Sequence, residues 1–140
     1  MTFPDERTSK AVVINLDRRP DRWEGVVRRL HAAGIRRFER FPAVDGSTVD
    51  TDNNRLVSKR AAREIDQHPP DHRWPSRGGL GCFLSHVSVW REFDRHPGLK
   101  SLWVFEDDAR PTPYFLKLAG RERKRHLAAV PARAGMILLA

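Results

Sequence analysis

The sequence predicts an α/β fold built on a mainly parallel sheet, and three observations lead there. Apolar runs at 11–16, 102–105 and 136–140 have the length of buried strands. Between and beside them, residues 20–34, 81–94 and 114–129 carry the 3.6-residue period of helices. Pro and Gly mark the changes from one period to the other. Strands that alternate with helices belong to parallel sheets covered on both faces.

Each element follows from its residues. Ala11 to Leu16 is β-branched and apolar, hence a buried strand. In the next segment Pro20 suits a first helical turn, Asp21 and Glu24 favour a helix N-terminus, and Gly34 is a natural stop. Trp23, Val26, Val27 and Leu30 fall on one stripe, with Arg22, Arg28 and Arg29 largely off it. A second strand covers 37–41 and ends at Pro42, and Val44-Asp45-Gly46 supplies a turn. The segment 47–79 is less ordered, with a short helix at 58–66 and a Pro- and Gly-rich stretch at 66–79 of the kind that forms binding loops. Helical spacing resumes at Gly81 and is stopped by His96-Pro97-Gly98. A strand at 102–105, buried on both faces, a helix over 114–129 and a last strand at 136–140 complete the chain.

The 140 residues suit a single domain, 1–140, divided into a βαβ unit at 11–46, a variable loop at 47–79, and a helix, strand, helix and strand at 80–140. A composition 39% hydrophobic and 31% charged is that of a globular protein rather than a disordered one. No run approaches the ~18 apolar residues of a membrane span, and residues 1–10 lack the apolar core of a signal peptide, so a cytoplasmic location is expected. The single Cys82 excludes an intrachain disulfide. A net charge of +8, concentrated in Arg18 to Arg40 and Arg121 to Arg125, favours partners that carry phosphate. Nucleic acid, an anionic membrane surface, a nucleotide sugar and a phosphorylated saccharide all qualify.

One junction stands against that charge. Leu102-Trp-Val-Phe105 runs directly into Glu106-Asp107-Asp108. Ligands of open α/β sheets gather at the carboxyl ends of strands, and three adjacent acids repel one another unless something neutralises them. An oxygen-rich cluster suits a hard cation such as Mg²⁺ or Mn²⁺; an acidic loop capping the next helix is the alternative. Cys82 and His86, four residues apart, permit a nucleophile and base on one helix face, but no neighbour in sequence orients the imidazole. His68 and His72 are separated by Pro69 and Pro70, which preclude a helical ligand pair, and read as loop residues.

Four segments together go beyond pattern. In order and approximate spacing, Val12-Val-Ile-Asn-Leu-Asp-Arg-Arg-Pro-Asp-Arg22, Phe41-Pro-Ala-Val-Asp-Gly46, Gly79-Leu-Gly-Cys-Phe-Leu-Ser-His86 and Val104-Phe-Glu-Asp-Asp-Ala109 resemble glycosyltransferase family 25, the group of lipopolysaccharide and collagen galactosyltransferases. The resemblance covers the chain from Val12 onward. It implies a GT-A-like nucleotide-binding sheet with flanking helices, incomplete at the carboxyl end, and transfer of a hexose, usually galactose from its UDP derivative.

The resemblance also implies a divalent metal, Mn²⁺ or Mg²⁺, at Glu106-Asp107-Asp108. In an extended backbone alternate side chains share a face, so Glu106 and Asp108 are expected as metal ligands and Asp107 toward the ribose or sugar. Asn15, Asp17, Arg18 and Arg22 sit where a strand yields to a helix and are expected to cradle the donor, with Arg19 left to solvent. Asp45 and Gly46 belong to the family phrase that follows. Gly79 and Gly81 are expected to form a tight turn that lets backbone approach a ligand, and Ser85 and His86 to bond sugar or phosphate oxygens.

Typical members of the family continue for about a hundred residues beyond the equivalent of Leu139. The general base of an inverting transfer is expected in that portion; of Glu122 and His126, neither is assigned. Three functions follow: a glycosyltransferase acting on a glycan, lipopolysaccharide or other glycoconjugate acceptor, an inactive UDP-sugar and metal-binding relic, or a basic nucleic-acid-binding domain. The last lacks a recognition motif and is disfavoured. A location at the inner membrane face, and pairing with another chain through the sheet edge at 136–140, are further expectations.

Overall fold

The computed structural model describes residues 8–67 and 76–117, together with Glu122 and Arg125. The order of elements is β1 (Ser9–Asn15), α1 (Pro20–Ala32), β2 (Glu39–Pro42), a 3₁₀ turn (Gly46–Thr48), α2 (Lys59–Gln67), α3 (Arg77–Asp94), β3 (Ser101–Glu106) and α4 (Pro113–Lys117). The fold is α/β. The three strands among the described residues form a parallel sheet in the order β2-β1-β3, the arrangement expected of a GT-A-like nucleotide-binding sheet.

Central position explains the composition of β1. With a partner on each side and helices on both faces, residues 11–15 are all buried, which is why four of them are apolar. Alternate side chains then divide two cores. Val13 packs with Val26 and Leu30 of α1 and with Ile35, joined by Trp23, Phe38 and Phe105. Val12 and Ile14 face the other way, toward Val89 of α3, with Phe41, Leu102 and Val104 around them. A third cluster joins Ile65 of α2 to Leu80 and Leu84 of α3, with Val44 and Val49 against it.

Helix α1 starts with Pro20 in its first turn and carries Asp21 near its N-terminus and Arg29 and His31 near its end. Gly34, at φ 78°, takes the left-handed conformation that turns the chain toward β2. Pro42 lies inside the last position of β2, tolerable because β2 is flanked by β1 alone among the described strands.

Three expectations require correction. Helix α3 begins at Arg77, four residues before Gly81, because Ser76 accepts a hydrogen bond from Gly79 N through its hydroxyl and caps the helix. Gly79 and Gly81 are therefore helical and do not form a turn. Strand β3 is half-buried rather than buried on both faces, and β1 is its one partner among the described strands. The helix expected over 114–129 is described as far as Lys117, with Glu122 and Arg125 also helical. The strand expected at 136–140, His68, His72 and His126 lie outside the described residues.

Candidate functional site

Because β1 and β3 are parallel neighbours, with Ile14 opposite Glu106, their carboxyl ends emerge at one edge of the sheet. A cleft of about 250 Å³ opens there. Its walls are Asn15 at the end of β1 and Leu16 after it, Arg18 and Arg22 around the start of α1, Ala43 to Ser47 after β2, the first turns of α3, and Glu106 and Asp107. The segments singled out in the sequence thus meet at one place.

Asn15 ties them together. It is 1% exposed, and its side chain donates to Asp107 Oδ2 at 2.8 Å and to Arg19 O at 3.0 Å while accepting from Arg40 Nε at 2.9 Å. Asp107, also buried, receives Arg22 on its other oxygen at 3.2 Å. An acid withdrawn from water at the end of a strand is held by a neutral donor and a cation, which is what burial of a charge requires. Arg29 completes the support by donating to Asp107 O and Ala109 O, both at 2.8 Å, so α1 pins the acidic turn by its backbone.

The opposite wall depends on glycine. A β-carbon on Gly46 would lie 1.7 Å from Arg77 O, and one on Gly81 would lie 2.6 Å from Val44 O. Backbone therefore packs on backbone where the 3₁₀ turn meets α3. Ser85, wholly buried, locks the same contact by accepting from Val44 N at 2.9 Å and donating to Gly81 O at 2.6 Å. Its hydroxyl is engaged in positioning the cleft wall. Asp45 caps the 3₁₀ turn, accepting from Ser47 N, and binds Arg18 Nε at 2.8 Å. The Arg18 guanidinium, then the Ser47 hydroxyl and amide, hold the Asp45 carboxyl well below its ordinary value.

Glu106 lies exposed at the mouth of the cleft. Its Oε1 is 3.2 Å from His86 Nε2 and 3.7 Å from Cys82 Sγ. Burial, and then the charges of Glu106 and Asp108, raise the Cys82 pKa, so its sulfur is a protonated thiol at neutral pH rather than a ready nucleophile. Asp108 is exposed and, among the described residues, has neither a hydrogen bond nor an ion pair.

Most residues expected at the site line the cleft: Asn15, Arg18, Arg22, Asp45, Gly46, Gly81, Ser85, His86, Glu106 and Asp107. Asp17, Gly79 and Asp108 do not. Asp17 points to solvent and binds Arg40 at 2.6 Å. The alternation expected of the acidic triplet fails because the strand ends at Glu106, and Asp107 and Asp108 occupy a turn. Sequence reasoning overlooked Arg29, Arg40 and Arg77. The first two bind the network just described, and Arg77 lines the cleft while donating to Val49 O at 2.7 Å. All three are arginines in an arginine-rich chain, and no local period distinguishes them.

Residues 8–132 match the family described as glycosyltransferase family 25 (LPS biosynthesis protein). The chain belongs to glycosyltransferase family 25. A glycosyltransferase 25 family member of Drosophila melanogaster is 39% identical over 109 residues, 78% of this chain and 17% of that protein. Procollagen galactosyltransferase 1-A of Xenopus laevis is 37% identical over 115 residues, 80% and 18% of the two chains. The human inactive glycosyltransferase 25 family member 3 is 34% identical over 122 residues, 79% and 19%. This family 25 chain therefore spans less than a fifth of the length of these relatives. No solved structure matches it significantly.

Proposed function

We propose that the cleft binds the UDP-sugar donor of a hexosyl transfer, with galactose as the hexose and Mn²⁺, or Mg²⁺, as the cation. One observation carries the reading: Glu106, whose second carboxylate oxygen has no partner among the described residues, lines a cleft walled by Arg18, Arg22 and the N-terminus of α3, and the unpartnered Asp108 follows it by two residues. A diphosphate suits the arginines and the helix terminus. It meets the acids through a divalent cation.

The donor set fits such a cation. Asp107 is consumed by Asn15 and Arg22, whereas Asp108 has no internal partner among the described residues, and carboxylate oxygen is the ligand that Mn²⁺ and Mg²⁺ prefer. Bound there, the metal would neutralise the diphosphate and stabilise charge on the departing UDP. The chain's own residues do the rest. Arg22 keeps a half-exposed side chain on the cleft while anchored to Asp107, so it can turn a free N–H toward phosphate. Gly46 and Gly81 let the turn after β2 pack backbone to backbone on α3 and so fix the wall of the cleft. Galactose is favoured by the name of the Xenopus relative. The acceptor is a glycan, lipopolysaccharide or other glycoconjugate, and the basic face, at a net charge of +8, suits a cytoplasmic site beside an anionic membrane.

A second reading is donor binding without transfer, favoured by the relative that is named inactive. Release of UDP from UDP-galactose, measured with Mn²⁺ and an acceptor mixture, separates the two. Transfer predicts release that Asp108→Ala abolishes. Binding alone predicts retention of UDP-galactose with no release.

A further inference from the structure

The geometry points to a second kind of metal site at the cleft mouth: Cys82, His86 and Glu106 form a three-ligand site for a borderline-soft divalent cation, of which Zn²⁺ is the type. It uses sulfur and nitrogen, unlike the oxygen pair proposed for Mn²⁺, and does not depend on the donor reading. The two share Glu106.

Secondary structure brings the ligands together. Cys82 and His86 are four residues apart on α3, so their side chains leave the same face one turn apart. Glu106 closes the triangle from the end of β3. Sγ of Cys82, Nε2 of His86 and Oε1 of Glu106 all lie within 4.8 Å of one another.

Those separations suit tetrahedral coordination. Zinc bond lengths of about 2.3 Å to sulfur and about 2.0–2.1 Å to nitrogen and oxygen place neighbouring ligands about 3.4 Å apart for N and O and about 3.6 Å for S and O. The observed distances are 3.2 Å from His86 Nε2 to Glu106 Oε1 and 3.7 Å from Cys82 Sγ to the same oxygen. A cation can enter with adjustments of a few tenths of an ångström along those two edges. Three protein ligands leave a fourth position for water or a ligand oxygen. Thiolate and imidazole select Zn²⁺ over Mg²⁺ and Mn²⁺.

Cobalt spectroscopy on the full chain, stripped of metal with a chelator, tests the site. Cys82 is the chain's sole cysteine, so any thiolate-to-cobalt band belongs to it. One equivalent of Co²⁺ is expected to give that near-ultraviolet band together with the intense visible bands of tetrahedral cobalt, and Zn²⁺ should bleach both. Cys82→Ser and Cys82→Ala should each remove the charge-transfer band. His86→Ala should weaken Zn²⁺ binding, measured by competition with a chromophoric chelator, at least about tenfold. Asp108→Ala should leave the band intact even where it abolishes Mn²⁺-dependent UDP binding. Weak octahedral bands without a thiolate band, or unchanged Zn²⁺ affinity in both cysteine variants, would overturn the assignment.

Discussion

The backbones of Gly46 and Gly81 are in contact, so close that a β-carbon on Gly81 would sit 2.7 Å from Gly46 N. Between them these glycines join the turn after β2 to the first turns of α3, and so shape the wall of the cleft that faces the acids. Gly46→Ala should cost about 3 kcal/mol or more, since its methyl meets backbone that cannot swing away. Gly78→Ala is the control. Its β-carbon would meet only Ser76 Oγ, at 4.0 Å, and the change should be neutral or stabilise by up to about 1 kcal/mol. Urea denaturation of the two variants makes the comparison.

Asn15→Ala should destabilise by about 3 kcal/mol. It removes three side-chain hydrogen bonds and leaves the buried Asp107 carboxylate dependent on Arg22. Denaturant midpoints with an unchanged slope would identify the loss as one of native stability.

Arg29→Lys tests how the acidic turn is held. A lysine cannot span Asp107 O and Ala109 O with one planar fork, so stability should fall by about 1.5 kcal/mol. Metal-dependent UDP binding should weaken in the same variant, because the backbone that presents Asp108 is released. Calorimetry beside denaturation reads both effects.

Acid should act on the cleft through Asp45. Its folded-state pKa lies well below the ordinary 3.8, so its contribution to stability is present above that value and is lost as pH falls through the folded-state value. In Arg18→Ala the Asp45 carboxyl should titrate closer to 3.8, because its first cause of depression is gone. Carbon-detected NMR titration of the side-chain carboxyls measures this. Asp21, held down to about 2 by Arg19, should not move.

The central scaffold is legible in the sequence because it depends on patterns that survive without tertiary knowledge. The run at 11–14 is apolar at consecutive positions because β1 is covered on both faces, and the stripe from Trp23 to Leu30 is apolar because α1 covers one of them. Supporting contacts are less legible. Arg29 and Arg40 act on residues 78 and 25 positions away, and such pairings leave no local period. The roles within the acidic triplet depend on where the strand ends; one position decides whether Asp107 follows a pleat or enters a turn. Ser85 looks like a ligand-binding hydroxyl in its motif, yet folding commits it to Val44 and Gly81.

Calorimetric titration of UDP into the protein, with and without Mn²⁺, tests the proposed donor site most directly. Binding that requires Mn²⁺, and that is lost in Asp108→Ala while the variant stays folded, is the expected result. Binding that is equally strong without metal, or unchanged in Asp108→Ala, would contradict it.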